Sequence, residues 1–162
     1  MIPFETAVET YQNFPQQFQS IFLSTVKAGQ PQASYAPFVM DRDRNFYIYI
    51  SGLSAHTENL KTSGIASVLF LEDEVQTTQI FARRRLSYSC DAAPVMPESA
   101  QWNQIADQFE ARFGNIIQLF RGLADFQIFQ LQARSGRFVL GFGAAYEVDP
   151  SNLGTLLPPK QG

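Results

Sequence analysis

The sequence predicts a mainly antiparallel β protein, a small closed barrel with a few added helices. Three observations predict it. Seven or eight short apolar segments are separated by turn residues. One stretch alone carries a long helical period. No internal repeat or linker divides the 162 residues, a length that suits a single core.

Taken in order, Pro3 to Gln12 predicts a short helix, with Ala7, Val8 and Tyr11 at helical spacing. Pro15 separates it from a first strand over Ser20 to Val26. Lys27-Ala28-Gly29-Gln30-Pro31 reads as a turn, and Gln32 to Met40 as the return strand. Pro37 has no N–H to give a ladder, so it predicts an edge or bulge there. Asp41-Arg42-Asp43-Arg44 is a charged turn before a third strand over Asn45 to Ser51. A short helix is expected from Ala55 to Ser63, with Ser54 as N-cap, Glu58 in the first turn and Gly64 as C-cap. Ile65 to Leu71 reads as the fourth strand, Glu72-Asp73-Glu74 as a turn, and Thr77 to Cys90 as the fifth strand.

The long helix follows Pro97. Trp102, Ile105, Ala106, Phe109 and Phe113 recur on one face. Gly114 interrupts it, and Asn115 to Phe120 resumes it before Gly122. Asp125 to Gln132, Arg137 to Phe142 and Tyr146 to Val148 read as further strands. The expected organisation is one domain over 1–148 and a mobile tail over 149–162.

Composition narrows the function. Fifteen phenylalanines imply a large core, a dimer interface, or both. A net charge of −3 gives no electrostatic case for nucleic acid. No apolar run reaches the roughly 20 residues that span a bilayer, so no membrane association is expected. Cys90 is the only cysteine, which excludes an internal disulfide and a cysteine-based zinc cluster. With no basic region leading an apolar core at the N-terminus, a soluble cytoplasmic protein is expected.

Two places carry chemistry. The first is Ile48 to Leu60, where a strand feeds a helix start holding His56, the only histidine. Free N–H groups and the helix dipole suit a phosphate or carboxylate there. Ser51, Ser54, Thr57 and Asn59 are phosphate donors in one reading and capping residues in the other. His56 is equally an anion contact or a structural cap, and without partners at ligand spacing it suggests no metal. The second place is Phe81-Ala82-Arg83-Arg84-Arg85-Leu86. On a strand, Arg84 would face one side and Arg83 and Arg85 the other. One of them would fork onto a phosphate or carboxylate, or all three would pair with Glu72, Asp73 and Glu74.

Asp125 is a turn residue or a buried partner for His56 or an arginine. Tyr35, Phe38, Tyr47 and Tyr49 are core or interface aromatics, any of which could stack on a flat ring. Gly141-Phe142-Gly143 lacks the third glycine and the helix of a dinucleotide fingerprint. Cys90 has no histidine nearby to make it a nucleophile.

A set of segments appears in a fixed order: Ser34-Tyr35-Ala36-Pro37-Phe38, Ile50-Ser51, Ala55-His56-Thr57-Glu58-Asn59-Leu60, Glu72-Asp73-Glu74, Phe81 to Leu86, Ala111-Arg112-Phe113-Gly114, Asp125-Phe126 and Gly141 to Tyr146. The set resembles the pyridoxamine 5′-phosphate oxidase-related split-barrel family, and within it the haem-utilisation branch. The resemblance implies a six-stranded antiparallel split barrel and a homodimer with two cofactor sites at the subunit interface. It implies flavin mononucleotide (FMN) as cofactor and oxidoreductase chemistry, with no catalytic residue assigned. Carried over residue by residue, the cofactor contacts are Tyr35, Ser51, His56, Thr57, Arg84 and Arg85. In the haem-utilisation branch, His56 and Asp125 match positions expected to pair between subunits. The alternatives are a haem-binding protein without the C-terminal histidine ligand of the haem-degrading relatives, and an interaction module without ligand.

Overall fold

A computed structural model describes residues 2–159. In chain order it contains α1 (Phe4–Asn13), β1 (Ser20–Lys27), β2 (Gln30–Met40), β3 (Phe46–Ser51), α2 (Ala55–Ser63), β4 (Ile65–Leu71), β5 (Arg85–Pro94), α3 (Ala100–Phe113), α4 (Ile116–Arg121), β6 (Phe126–Gly141) and β7 (Ala144–Glu147). Every strand pairing is antiparallel. The order is β3-β2-β1-β4-β5-β6-β7, and β3 also pairs with β6. Six strands thus return on themselves, and β7 adds to β6.

Alternation along β1 and β4 sends Ile21, Leu23, Val68 and Phe70 inward and leaves Phe22 and Ser67 outside. Phe38, Phe46, Phe70 and Phe138 fill the interior, each contributing roughly 1.5–3 kcal/mol by burial. β3 does not alternate, because Phe46 to Ile50 are all buried. Its inner side faces this core. Tyr47 and Tyr49 on its other side pack against Trp102, Ile105, Ala106 and Phe109 of α3. A strand covered on both faces reads as a continuous apolar run.

Both helix boundaries around the central segments follow local chemistry. Gly64 ends α2 at φ 68°, a left-handed position that suits glycine. Ser99, not Pro97, caps α3, its hydroxyl accepting the Trp102 N–H at 3.1 Å. Pro37 sits where β2 leaves β1 and begins to pair with β3.

Two expectations about strands are corrected. The fifth strand starts at Arg85 rather than Thr77. Residues 72–84 instead form a loop with 3-10 turns at Glu74–Gln76 and Ile80–Ala82. There the Thr77 hydroxyl donates to the Asp73 carbonyl at 2.8 Å and the Gln79 side chain accepts the Phe81 N–H at 3.2 Å. Such local bonds compete with a strand ladder. Arg83 and Arg84 therefore lie before the strand, and the alternation argument does not apply to them.

The two strands expected over Asp125 to Phe142 are one. One edge of β6 pairs with β5 from Phe129 to Val139, while its other edge is shared between β3 and then β7. The chain also stays on the body after Val148. Leu156 is buried and bridges Val148, and the Leu153 carbonyl accepts the Tyr11 hydroxyl at 2.6 Å. Residues 160–162 of the expected tail lie outside the described residues.

Candidate functional site

The predicted site residues fall into two groups. The first gathers where β2, the end of β3, the start of α2 and the start of β6 meet. Ser51 donates its hydroxyl to the Asp125 carboxylate at 3.0 Å and accepts the Leu53 N–H at 3.1 Å. His56 Nδ1 lies 2.9 Å from the Ser34 hydroxyl. Tyr35, next to Ser34, is 66% exposed and lies on the opposite face of β2, in the outward row with Phe22. Burial lowers the His56 pKa from its ordinary value of 6.5, so the ring is neutral at physiological pH. Ser34 Oγ can donate to Nδ1 or accept from it, so its rotation fixes the tautomer and hence whether Nε2 carries a proton.

Thr57, a cofactor contact by the resemblance, has the surroundings of a capping residue. It is fully buried and its hydroxyl donates to the Ser51 carbonyl at 2.6 Å. It holds the helix start to the strand, the capping role, whereas Ser54 occupies the N-cap position without a side-chain bond.

The second group is the arginine triplet. Arg83 is tied to the Glu72 carbonyl at 3.0 Å and to the Glu74 carboxylate at 3.2 Å. Arg85 donates to the Arg83 carbonyl at 3.0 Å. Arg84 has the loosest tether, 3.9 Å to Glu72, and its side chain is 53% exposed. It lines a polar cleft of about 450 Å³ with Thr77, Thr78, Gln79 and Phe142. The acidic pairing weighed from the sequence therefore holds for Arg83 and weakly for Arg84. Gly141-Phe142-Gly143 is the β6–β7 turn, with Gly143 at φ 68°.

The two groups do not meet within one chain, because β1 and β4 stand between β2 and β5. Three strand spacings are about 14 Å. A groove of about 330 Å³ crosses this interval, floored by Phe22, Ala33, Ser34, Leu69 and Ser87. Register explains it: Tyr35, Phe22, Leu69, Ser87 and Arg137 are successive cross-strand partners, with outward side chains. The next row is Ala33, Ser24, Ser67 and Ser89. The face is apolar or serine-lined in its middle.

Sequence reasoning missed this floor and the role of Ser34. The available signal was the outward set in β1 and β4, where Phe22, Ser24, Ser67 and Leu69 interleave with core residues.

Residues 7–140 match the pyridoxamine 5′-phosphate oxidase family. The chain belongs to that family. Within it, the chain falls in the haem-utilisation branch, since it is 40% identical over 141 residues to heme oxygenase HutZ of Vibrio cholerae, covering 86% of this chain and 80% of that protein. Among solved structures, HutZ from Vibrio cholerae, described as a heme storage protein, superposes with a TM-score of 0.76 at 32% identity, over 86% of this chain and 97% of that one. ChuZ of Campylobacter jejuni superposes with a TM-score of 0.82 at 35% identity, over 94% of this chain and 63% of that one. A family member of this kind has an antiparallel sheet with added helices, as found here. No helix among the described residues is long and apolar enough to cross a membrane.

Proposed function

We propose that this chain is a haem-binding protein of haem-utilisation type, working as a homodimer whose two copies meet across the outward face of β1, β2, β4 and β5. The observation that carries the reading is the 40% identity to heme oxygenase HutZ along nearly the whole domain. The groove chemistry fits. Phe22 and Leu69 give a planar macrocycle an apolar floor that excludes water. Arg84 is a partly free guanidinium that suits a propionate carboxylate. When bound, haem would supply the iron chemistry; the chain's own residues orient it and hold its charges.

In this reading the proposed ligand contacts are Tyr35, Ser51, Arg84 and Arg85, with His56 at the seam. His56 Nε2–H donates to Asp125 of the partner subunit, while Nδ1 accepts from Ser34. A second copy supplies what one chain lacks, because it brings an arginine group near the His56 group without a ligand having to span three strands. The split barrel is the six-strand ring itself. A free, buried Cys90 accords with a cytoplasmic location.

FMN is the second reading. The family match favours it, and the Arg84 cleft would hold a phosphate as readily as a carboxylate. Absorption titration separates the two. Haem binding predicts a saturable Soret shift and slow haem loss to a scavenger. FMN binding predicts quenched flavin fluorescence, with Arg84→Ala weakening FMN far more than riboflavin. No response to haem, with a clear response to FMN, sinks the haem reading. His56→Leu and Asp125→Ala should each weaken the dimer in sedimentation, and variants that sediment and bind like the parent remove the proposed pair.

A further inference from the structure

Arg44 is the one charged side chain among the described residues that is buried, at 8% exposure. It enters β3 from the β2–β3 turn at φ 61°, an unusual backbone position for a residue with a side chain. Its Nη1 donates to the Gln12 carbonyl at 3.2 Å and its Nη2 to the Tyr88 hydroxyl at 3.4 Å. The guanidinium carbon lies 4.4 Å from the centre of the Tyr11 ring. Nε is buried and has no hydrogen-bond partner.

Among the described residues no carboxylate pairs with it, although six ion pairs form elsewhere. Asp41, three residues away, is already committed to the N–H groups of Asp43 and Asn45, the Asn45 amide and the Tyr47 hydroxyl. Tyr11 and Tyr88 are not the missing anion, since burial pushes both phenols up and keeps them protonated. A buried cation without a counter-charge is costly.

Arg44 lines a cleft of about 440 Å³ together with Gln12, Arg42, Asp43, Ser151 and Asn152. The cleft lies between the β2–β3 turn and the segment after β7. Its two guanidiniums outnumber the one Asp43 carboxylate. The geometry points to a small-oxyanion site here, taking a phosphate-class ion between Arg42 and Arg44 with the Asn152 amide as neutral donor. This site is separate from the proposed haem groove. β3 begins beside Arg44 and ends at Ser51, about 20 Å away. An ion in the cleft would join the turn to the 149–157 segment, whose Leu153 and Gly154 carbonyls already take hydrogen bonds from Tyr11 and Gln12.

The test is calorimetric titration of the whole chain with inorganic phosphate, with acetate as a carboxylate arm, alongside hydrogen exchange of residues 151–155. Saturable phosphate binding, with slower exchange in that segment, is expected. Arg42→Gln, an exposed position that leaves the core intact, should weaken phosphate at least about tenfold. Arg44→Lys should weaken it too while keeping a charge under the cleft. Arg134→Gln, an exposed position on β6 beside Asp91, should leave it unchanged. Absence of saturable phosphate binding overturns the proposal, as do parent-like affinity in Arg42→Gln, loss in Arg134→Gln, or preference for acetate.

Discussion

Ser51 and Asp125, seventy-four residues apart in sequence, are joined by both side chain and backbone: the Ser51 hydroxyl donates to the carboxylate at 3.0 Å, and the next residue, Gly52, donates its N–H to the Asp125 carbonyl at 2.7 Å. The approach is close enough to exclude a side chain at Gly52. A Cβ there would sit 2.9 Å from the Asp125 carbonyl oxygen. The end of β3 and the start of β6 are thus fixed before any ligand or second copy arrives, which presents Asp125 at a defined place on the surface.

Ser51→Ala should cost about 1.5 kcal/mol, the low end for a hydrogen bond to a charged group because the pair is only half-buried. Asp125→Ala should cost a similar amount, and the double variant little more than either alone. Urea denaturation of the four proteins measures this coupling. Additive losses would show that the Ser51–Asp125 bond contributes nothing to stability.

Gly136→Ala should destabilise by about 1–3 kcal/mol through overpacking. Gly136 faces Tyr88 across the β5–β6 ladder, and an added Cβ would lie 2.5 Å and 2.7 Å from two ring atoms and 2.8 Å from the Val148 side chain. Relief would require moving a ring whose hydroxyl is held by Tyr11 at 2.6 Å. A lower urea midpoint with an unchanged slope is the expected result; a parent-like midpoint would mean that the ring yields freely.

That glycine also explains what the sequence made legible and what it did not. Gly64, α3 and the unbroken apolar run of β3 are set by local capping or by a period read along the chain, and each is found where expected. Arg134-Ser135-Gly136 falls between the two strands expected there because its composition is polar and flexible. It is strand because Tyr88, forty-eight residues earlier, occupies the space beside Gly136. The arginine loop fails for the same reason. The Arg83 side chain caps the Glu72 carbonyl, a contact no periodicity reveals. At the candidate site, His56, Ser51 and Asp125 were visible as residue types, but the Ser34 partner and the Phe22–Leu69 floor depend on strand register.

Cys90 should be silent to thiol reagents in the folded protein. It is 3% exposed and burial pushes its pKa up to about 12, so almost no thiolate is present at neutral pH. Labelling with a chromogenic disulfide should proceed only after denaturant is added, at one thiol per chain. Rapid labelling of native protein would contradict the packing of β5 against the core.

His56 should make stability fall as pH is lowered below about 6.5. Burial depresses its folded-state pKa, so in the window from the unfolded value downward the unfolded chain takes up a proton that the native ring resists. Stability from this group is therefore complete above the unfolded pKa and declines as pH falls through the window, the opposite of a histidine held by a carboxylate. His56→Gln should flatten the change in melting temperature between about pH 7.5 and pH 5.5. Dimerisation supplies the contrast. If His56 pairs with Asp125 of the partner subunit, that carboxylate stabilises the ring once it is protonated, its pKa rises in the dimer, and concentrated protein should become less sensitive to acid than dilute protein. Equal acid sensitivity at both concentrations, in a sample shown by sedimentation to change from monomer to dimer, would refute that pairing while leaving the monomer's histidine argument intact.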